Sequence, residues 1–185
     1  NVKKLLALGL AAGMVLGMTA CGGEKAAEDT TAAQTEAAED GKKVMNIGSM
    51  GYFAAETMDP ANGWDAWYMM YDGTTETLFK LDENITPTEN LAVSCESDDY
   101  INWTVTLRDD VTFQNGEKMT AEAVKKCFER TYEVNDRAKG QIAIDTLEAD
   151  GQKLIFHLQH ESVNLLNDLC DPLWSVYDSE NSNYT

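Results

Sequence analysis

Residues 107–130 read LRDDVTFQNGEKMTAEAVKKCFER, and three structural signals meet inside them. The stretch begins where a strand ends. From Ile101 to Leu107, the apolar residues Ile101, Trp103, Val105 and Leu107 alternate with Asn102, Thr104 and Thr106. A period of two gives a β-strand with one packed face and one solvated face. Val111-Thr112-Phe113 continues the extended chain briefly, and Asn115-Gly116 marks a turn. Thr120 then stands where a helix N-cap belongs, and Glu122 puts a negative charge in the first turn, where the helix dipole favours it. Val124, Cys127, Phe128 and Thr131 recur at i, i+3, i+4 and i+7, which predicts a helix to about Val134 with one buried stripe.

The same reading extends to both sides. Val44 to Met50 reads as a strand, and Met58-Asp59-Pro60 turns the chain. Trp64, Trp67, Tyr68, Tyr71 and Leu78 follow helical spacing between Trp64 and Leu81, with Gly73 weakening the middle. Pro87 belongs to a connection. Ile144 to Ala149 and Lys153 to Gln159 read as two strands joined at Asp150-Gly151, with Leu154, Phe156 and Leu158 on one face. Val163 to Leu169 reads as a short helix. Helices interleave with hairpins, so the expected class is mixed α and β, of the α+β type.

The first 43 residues have a different character. Lys3 and Lys4 precede an uncharged run from Leu5 to Ala20 that ends in small residues, which is the pattern of a secretory signal peptide over 1–20. That run is short for a spanning helix, which needs about 20 residues. Met18-Thr19-Ala20-Cys21 resembles the lipobox of bacterial lipoproteins, with Met18 where the pattern prefers Leu, and implies a lipid on Cys21. Acyl chains contribute roughly 0.8 kcal/mol per buried CH₂, enough for several on one cysteine to hold a protein at a membrane. Residues 21–43 are rich in Ala, Thr, Glu and Asp, a composition that buries too little surface to offset the entropy of ordering, and they read as a tether. The folded part is then 44–185. The chain starts at Asn1 and stops at DSENSNYT, and both ends read as cut.

The formal charge of −18 disfavours nucleic acid, because an acidic surface repels phosphate backbones. Cys95, Cys127 and Cys170 are far apart and lack a C-x-x-C, so they are expected as buried free thiols, not as a disulfide framework or a zinc site. His157 and His160, spaced by three on an extended chain, point to opposite faces and do not form a metal pair. No G-x-S-x-G, H-E-x-x-H or G-x-x-x-x-G-K occurs, so no enzyme is expected.

The stretch at 107–130 resembles the signature of the family 5 extracellular solute-binding proteins, the oligopeptide, dipeptide and nickel binders of ABC importers. The matching positions are Leu107, Arg108, Asp109, Val111, Phe113, Gly116, Thr120, Ala121, Glu122 and Val124. Asp110 stands where the family has Gly, and Ala123 where it has Asp. Met58-Asp59-Pro60 resembles the family's Leu-Asp-Pro, and Leu91-Ala92 with Glu96 its L-A-E-S-W region. The signature residues are suited to building the fold, since Arg108 can pair with a carboxylate, Phe113 can pack and Thr120 can cap.

The resemblance implies the N-terminal part of a two-lobed periplasmic-binding-protein-like fold, comprising a lobe I strand and an inserted α/β subdomain. It implies a monomeric lipoprotein on the extracytoplasmic face of a bacterial membrane. Such a protein captures peptides for ABC permease subunits without a cofactor or resident metal. A nickel or other chelate is the alternative ligand, and a structural surface lipoprotein the alternative role. Strand ends at a cleft present backbone and side chains to ligand. The candidate ligand contacts are therefore Met50, Gly51, Tyr52 and Phe53, together with Trp64 and Trp67.

Overall fold

The computed structural model describes residues 58–182. The strand expected over Val44 to Met50, and the leader and tether before it, lie outside the described residues. In chain order the elements are α1 (Asp65–Tyr71), β1 (Phe79–Leu81), β2 (Pro87–Glu89), β3 (Ala92–Glu96), β4 (Asn102–Leu107), α2 (Ala121–Val134), α3 (Asp136–Gln141), β5 (Ile144–Asp150), β6 (Lys153–Leu158) and α4 (Leu165–Asp168). A 3₁₀ turn follows at Pro172–Trp174.

Four strands form one antiparallel sheet in the order β3-β4-β6-β5. The alternation read from Ile101 to Leu107 sets its faces. Trp103, Val105 and Leu107 are buried, whereas Thr104 and Thr106 remain half-exposed. Register carries this pattern across the sheet, with Trp103 opposite Phe156 and Phe156 opposite Leu147, then Val105 opposite Leu154. The buried face is covered by α2, whose Val124, Cys127, Phe128 and Thr131 are all inaccessible to solvent. Phe128 lies at the centre. Its ring stands 6.4 Å from that of Phe156, and meets Trp174 edge to face at 5.2 Å and 69°. The class is α+β, as the interleaved pattern predicts.

The start of α2 follows from Thr120, whose Oγ1 accepts from the Ala123 N–H at 3.2 Å and satisfies a donor that a helix end leaves unpaired. Asn115-Gly116 forms the expected turn, with Gly116 at φ +90 and its N–H bonded to the Phe113 carbonyl. Val111 to Phe113 adds no strand to the sheet; only a single bridge, Thr112 to Lys118, crosses that turn.

Three expectations need correction. Cys95, expected as a buried thiol, is only half-buried, because it lies on β3 at the edge of the four-stranded sheet. The helix read from Trp64 to Leu81 ends at Tyr71. Gly73 adopts φ +72, the Gly73 N–H bonds to Met70 O at 3.0 Å and the Thr74 N–H to Met69 O at 2.9 Å. These are the two reversed bonds of a Schellman terminus, which glycine closes without a Cβ penalty. Residues 74–78 beyond it are irregular apart from a single bridge at Glu76, and Phe79–Leu81 form β1. Pro87 then opens β2 instead of lying in a plain connection, and pairs across from Leu81. Asp82 closes this hairpin by accepting from the Asn84 and Thr86 N–H groups, both at 2.8 Å. The proline tolerates strand geometry here because β1–β2 forms a sheet of only two strands, apart from the main ladder.

Candidate functional site

The turn at residues 59–63 leads into α1 and is held from outside. The Asp59 carboxylate accepts two bonds from the Arg130 guanidinium, at 2.9 and 2.7 Å, and a third from the Ala61 N–H at 3.0 Å. Arg130 also donates to the Tyr177 hydroxyl at 2.8 Å. Its hydrogen bonds to Asp59 push the guanidinium pKa above its ordinary value, against the opposing effect of burial. Just past the end of α2, Asn135 Nδ2 donates to the carbonyls of Ala61 and Gly63, each at 3.1 Å. Arg137 donates to the Gly63 carbonyl as well.

This grip sets up an aromatic platform. The rings of Trp64 and Trp67 lie 4.6 Å apart at 59°. The Arg137 guanidinium carbon sits 3.5 Å from the Trp64 ring centroid and 4.7 Å from that of Trp67. Trp64 is 57% exposed, whereas Trp67 is half-buried against the core. Burial lowers the Arg137 pKa, and the nearby Asp171 opposes the shift. A guanidinium stacked on indoles gains cation–π attraction while its in-plane N–H groups stay directed sideways. The platform therefore places a cation on the ring of the exposed Trp64, an arrangement that suits a carboxylate. Of the two tryptophans expected as ligand contacts, both join this cluster. Arg137 was not anticipated, because no spacing rule links a residue in α3 to one at the start of α1; only the fold brings them together.

A separate cleft of about 450 Å³ includes Met69 of α1 in its lining. Met69, Met119 and Tyr177 form buried parts of its wall, and Glu76 and Asn115 are exposed at it. Neither Trp64 nor Trp67 is among the described residues that line it. Met50, Gly51, Tyr52, Phe53 and Cys21 lie outside the described residues. Among the described residues, no group of three His, Cys, Asp or Glu side chains could hold a metal. His157 instead faces Asn102, Nδ1 to Oδ1, at 2.6 Å, and His160 falls beyond the end of β6.

The residues at 107–130 build the scaffold. Arg108 forms a two-pronged pair with Asp110 at 2.9 and 2.8 Å, using the acidic residue that stands where the family pattern has Gly. Residues 86–184, which contain this stretch and most of the grip on the 59–63 turn, match the family described as bacterial extracellular solute-binding proteins, family 5 Middle. The chain belongs to that family.

Among relatives of this family 5 chain, the nickel-binding protein NikA of Staphylococcus aureus (strain NCTC 8325 / PS 47) is 31% identical over 108 residues, covering 58% of this chain and 22% of NikA. The probable D,D-dipeptide-binding periplasmic protein DdpA of Escherichia coli (strain K12) is 38% identical over 86 residues, covering 43% of this chain and 17% of DdpA. The crystal structure of a nickel ABC transporter protein from Bacillus halodurans superposes with a TM-score of 0.67 at 36% identity, over 71% of this chain and 28% of that one. The chain thus spans less than a third of the length of the relatives it matches.

Proposed function

We propose that this family 5 chain is the N-terminal part of a substrate-binding lipoprotein of an ABC importer, and that it captures peptides outside the cell and delivers them to a membrane permease. The observation that carries the reading is the family match over residues 86–184, supported by the superposition on the Bacillus halodurans protein. In this reading Cys21 carries the lipid, residues 21–43 are the tether, and ligand is enclosed between two lobes whose closure the permease recognises. Met50, Gly51, Tyr52 and Phe53 contact the ligand from the end of the first strand. Trp64 and Trp67 contact it from the platform, with Arg137 offering a charge to a terminal carboxylate. The protein acts by binding and does no chemistry, in keeping with relatives that are named as binding proteins.

A second reading is a nickel chelate in place of a peptide. It is favoured by two of the three relatives above, which are named for nickel. A chelate bound through its organic ligands also needs no cluster of protein donors. Both readings are tested on the full-length protein. Mass spectrometry and elemental analysis of co-purified material, followed by calorimetric titration with di- and tripeptides and with the nickel–histidine complex, should yield one ligand class. Tight binding of peptides with no nickel present supports the first reading. Nickel retained with a small chelator supports the second, and no binding of either refutes both.

A further inference from the structure

We infer that Arg130 and Asn135 are positioning residues for the Trp64–Trp67–Arg137 platform, acting on ligand affinity through the 59–63 turn without touching ligand. The effect on affinity rests on the proposed part of Trp64 in ligand capture; the positioning itself does not. Local forces are too weak to hold Trp64 where it stands. It is the N-cap of a helix of 7 residues and makes no capping side-chain bond. A helix this short is not self-sustaining in water, so its direction is imposed by tertiary contacts. Among the described residues, the turn before it has only short-range backbone bonds, Asn62 N–H to Asp59 O and Asp65 N–H to Asn62 O, and Gly63 bends it at φ +52.

What fixes this turn comes from the far end of α2 and just beyond it. Arg130 holds Asp59 at one end with a planar fork, and Asn135 holds the carbonyls of Ala61 and Gly63 at the other. The Arg130 and Asp59 side chains are 23% and 9% exposed, so their paired bonds are largely shielded from water. Arg137 then fixes the same carbonyl of Gly63 while its guanidinium lies on the ring of Trp64. The stack therefore has the right spacing only while Gly63 stays put. Through the Tyr177 hydroxyl, the same Arg130 also ties the turn to the chain that follows the 3₁₀ turn at Pro172–Trp174.

The test uses the full-length protein with Arg130→Lys, Asn135→Ala and Tyr177→Phe, and with Trp64→Ala as the reference. Arg130→Lys keeps the charge but loses the fork. Tyr177→Phe removes one hydroxyl and serves if the lysine variant does not fold. Trp103 and Trp174 are buried, and the Trp64 signal is isolated as the difference in acrylamide quenching between each protein and its counterpart carrying Trp64→Ala as well. Quenching and emission wavelength should both change in Arg130→Lys and Asn135→Ala. Calorimetric affinity for dialanine or the nickel–histidine complex, whichever the wild type binds, should fall by about three- to thirtyfold, the range for residues that act on a site through a network. Unchanged Trp64 quenching in both folded variants overturns the inference, whatever happens to the melting temperature. If quenching changes while Trp64→Ala binds as tightly as wild type, the positioning stands and the ligand role of the platform fails.

Discussion

Replacing Gly73 by Ala separates two accounts of where α1 stops. Gly73 sits at φ +72, and a Cβ built there meets nothing within 4 Å. The penalty is therefore purely conformational: an L-residue in the left-handed region costs about 1–2 kcal/mol. Against this, Ala restricts the unfolded chain and returns about 0.4–1 kcal/mol. The net expectation is destabilisation of about 1 kcal/mol, which for a chain of this size lowers the melting temperature by roughly 2–4 °C. Gly140 provides the control. It lies inside α3, has no positive φ, and its Cβ also meets open space, so Gly140→Ala should stabilise by about 0.5–1 kcal/mol. Gly73→Asn should lose less than Gly73→Ala, because Asn tolerates the left-handed region better. Urea unfolding monitored by tryptophan fluorescence gives the three differences. Opposite signs for the two Ala variants support the Schellman terminus. If Gly73→Ala stabilises as Gly140→Ala does, the helix runs on past Tyr71 and the Schellman terminus is refuted.

Three further expectations follow from the same geometry. Thr120→Ala should destabilise by about 1 kcal/mol in urea unfolding, because the Ala123 N–H loses its acceptor, while Thr120→Ser should cost much less. The Asp99 carboxylate is held below the usual range by bonds from the Asn102 and Ile101 backbone, so its contribution is present above the ordinary carboxylate pKa of about 3.9 and fades as pH falls below it. Acid titration of wild type and Asp99→Asn should accordingly show a stability gap at neutral pH that closes below about pH 4; a gap constant with pH contradicts it. Burial pushes the Cys127 thiol up to about 12. In a Cys21→Ser chain at about pH 8, iodoacetamide should leave Cys127 unmodified in the native state and label it after unfolding, as read by mass spectrometry.

Much of the scaffold is legible because its signals are local. The alternation from Ile101 to Leu107, the cap at Thr120, the stripe through Phe128 and the turn at Gly151 each follow from neighbours within a few residues, where steric and hydrogen-bond rules act directly. The errors come where two local signals compete. Trp64 to Leu81 carries a helical spacing that Gly73 interrupts, and periodicity alone does not weigh one glycine at positive φ against several well-spaced aromatics. Pro87 reads as a breaker, yet a two-stranded hairpin has room for it.

By itself the sequence determined the family signature, the class of fold and the burial of Cys127. Such properties depend on residue type and short-range order. Only the tertiary structure decided that Arg130 reaches Asp59 and Tyr177, that Asn135 holds the 59–63 turn, and that Arg137 lies on Trp64. Those partners are 71, 47, 74, 72 and 73 positions apart in the chain. Their meeting depends on how α2 lies across the sheet and on where the chain re-enters beside it. No short window of sequence contains that information, because it is a property of the folded packing as a whole.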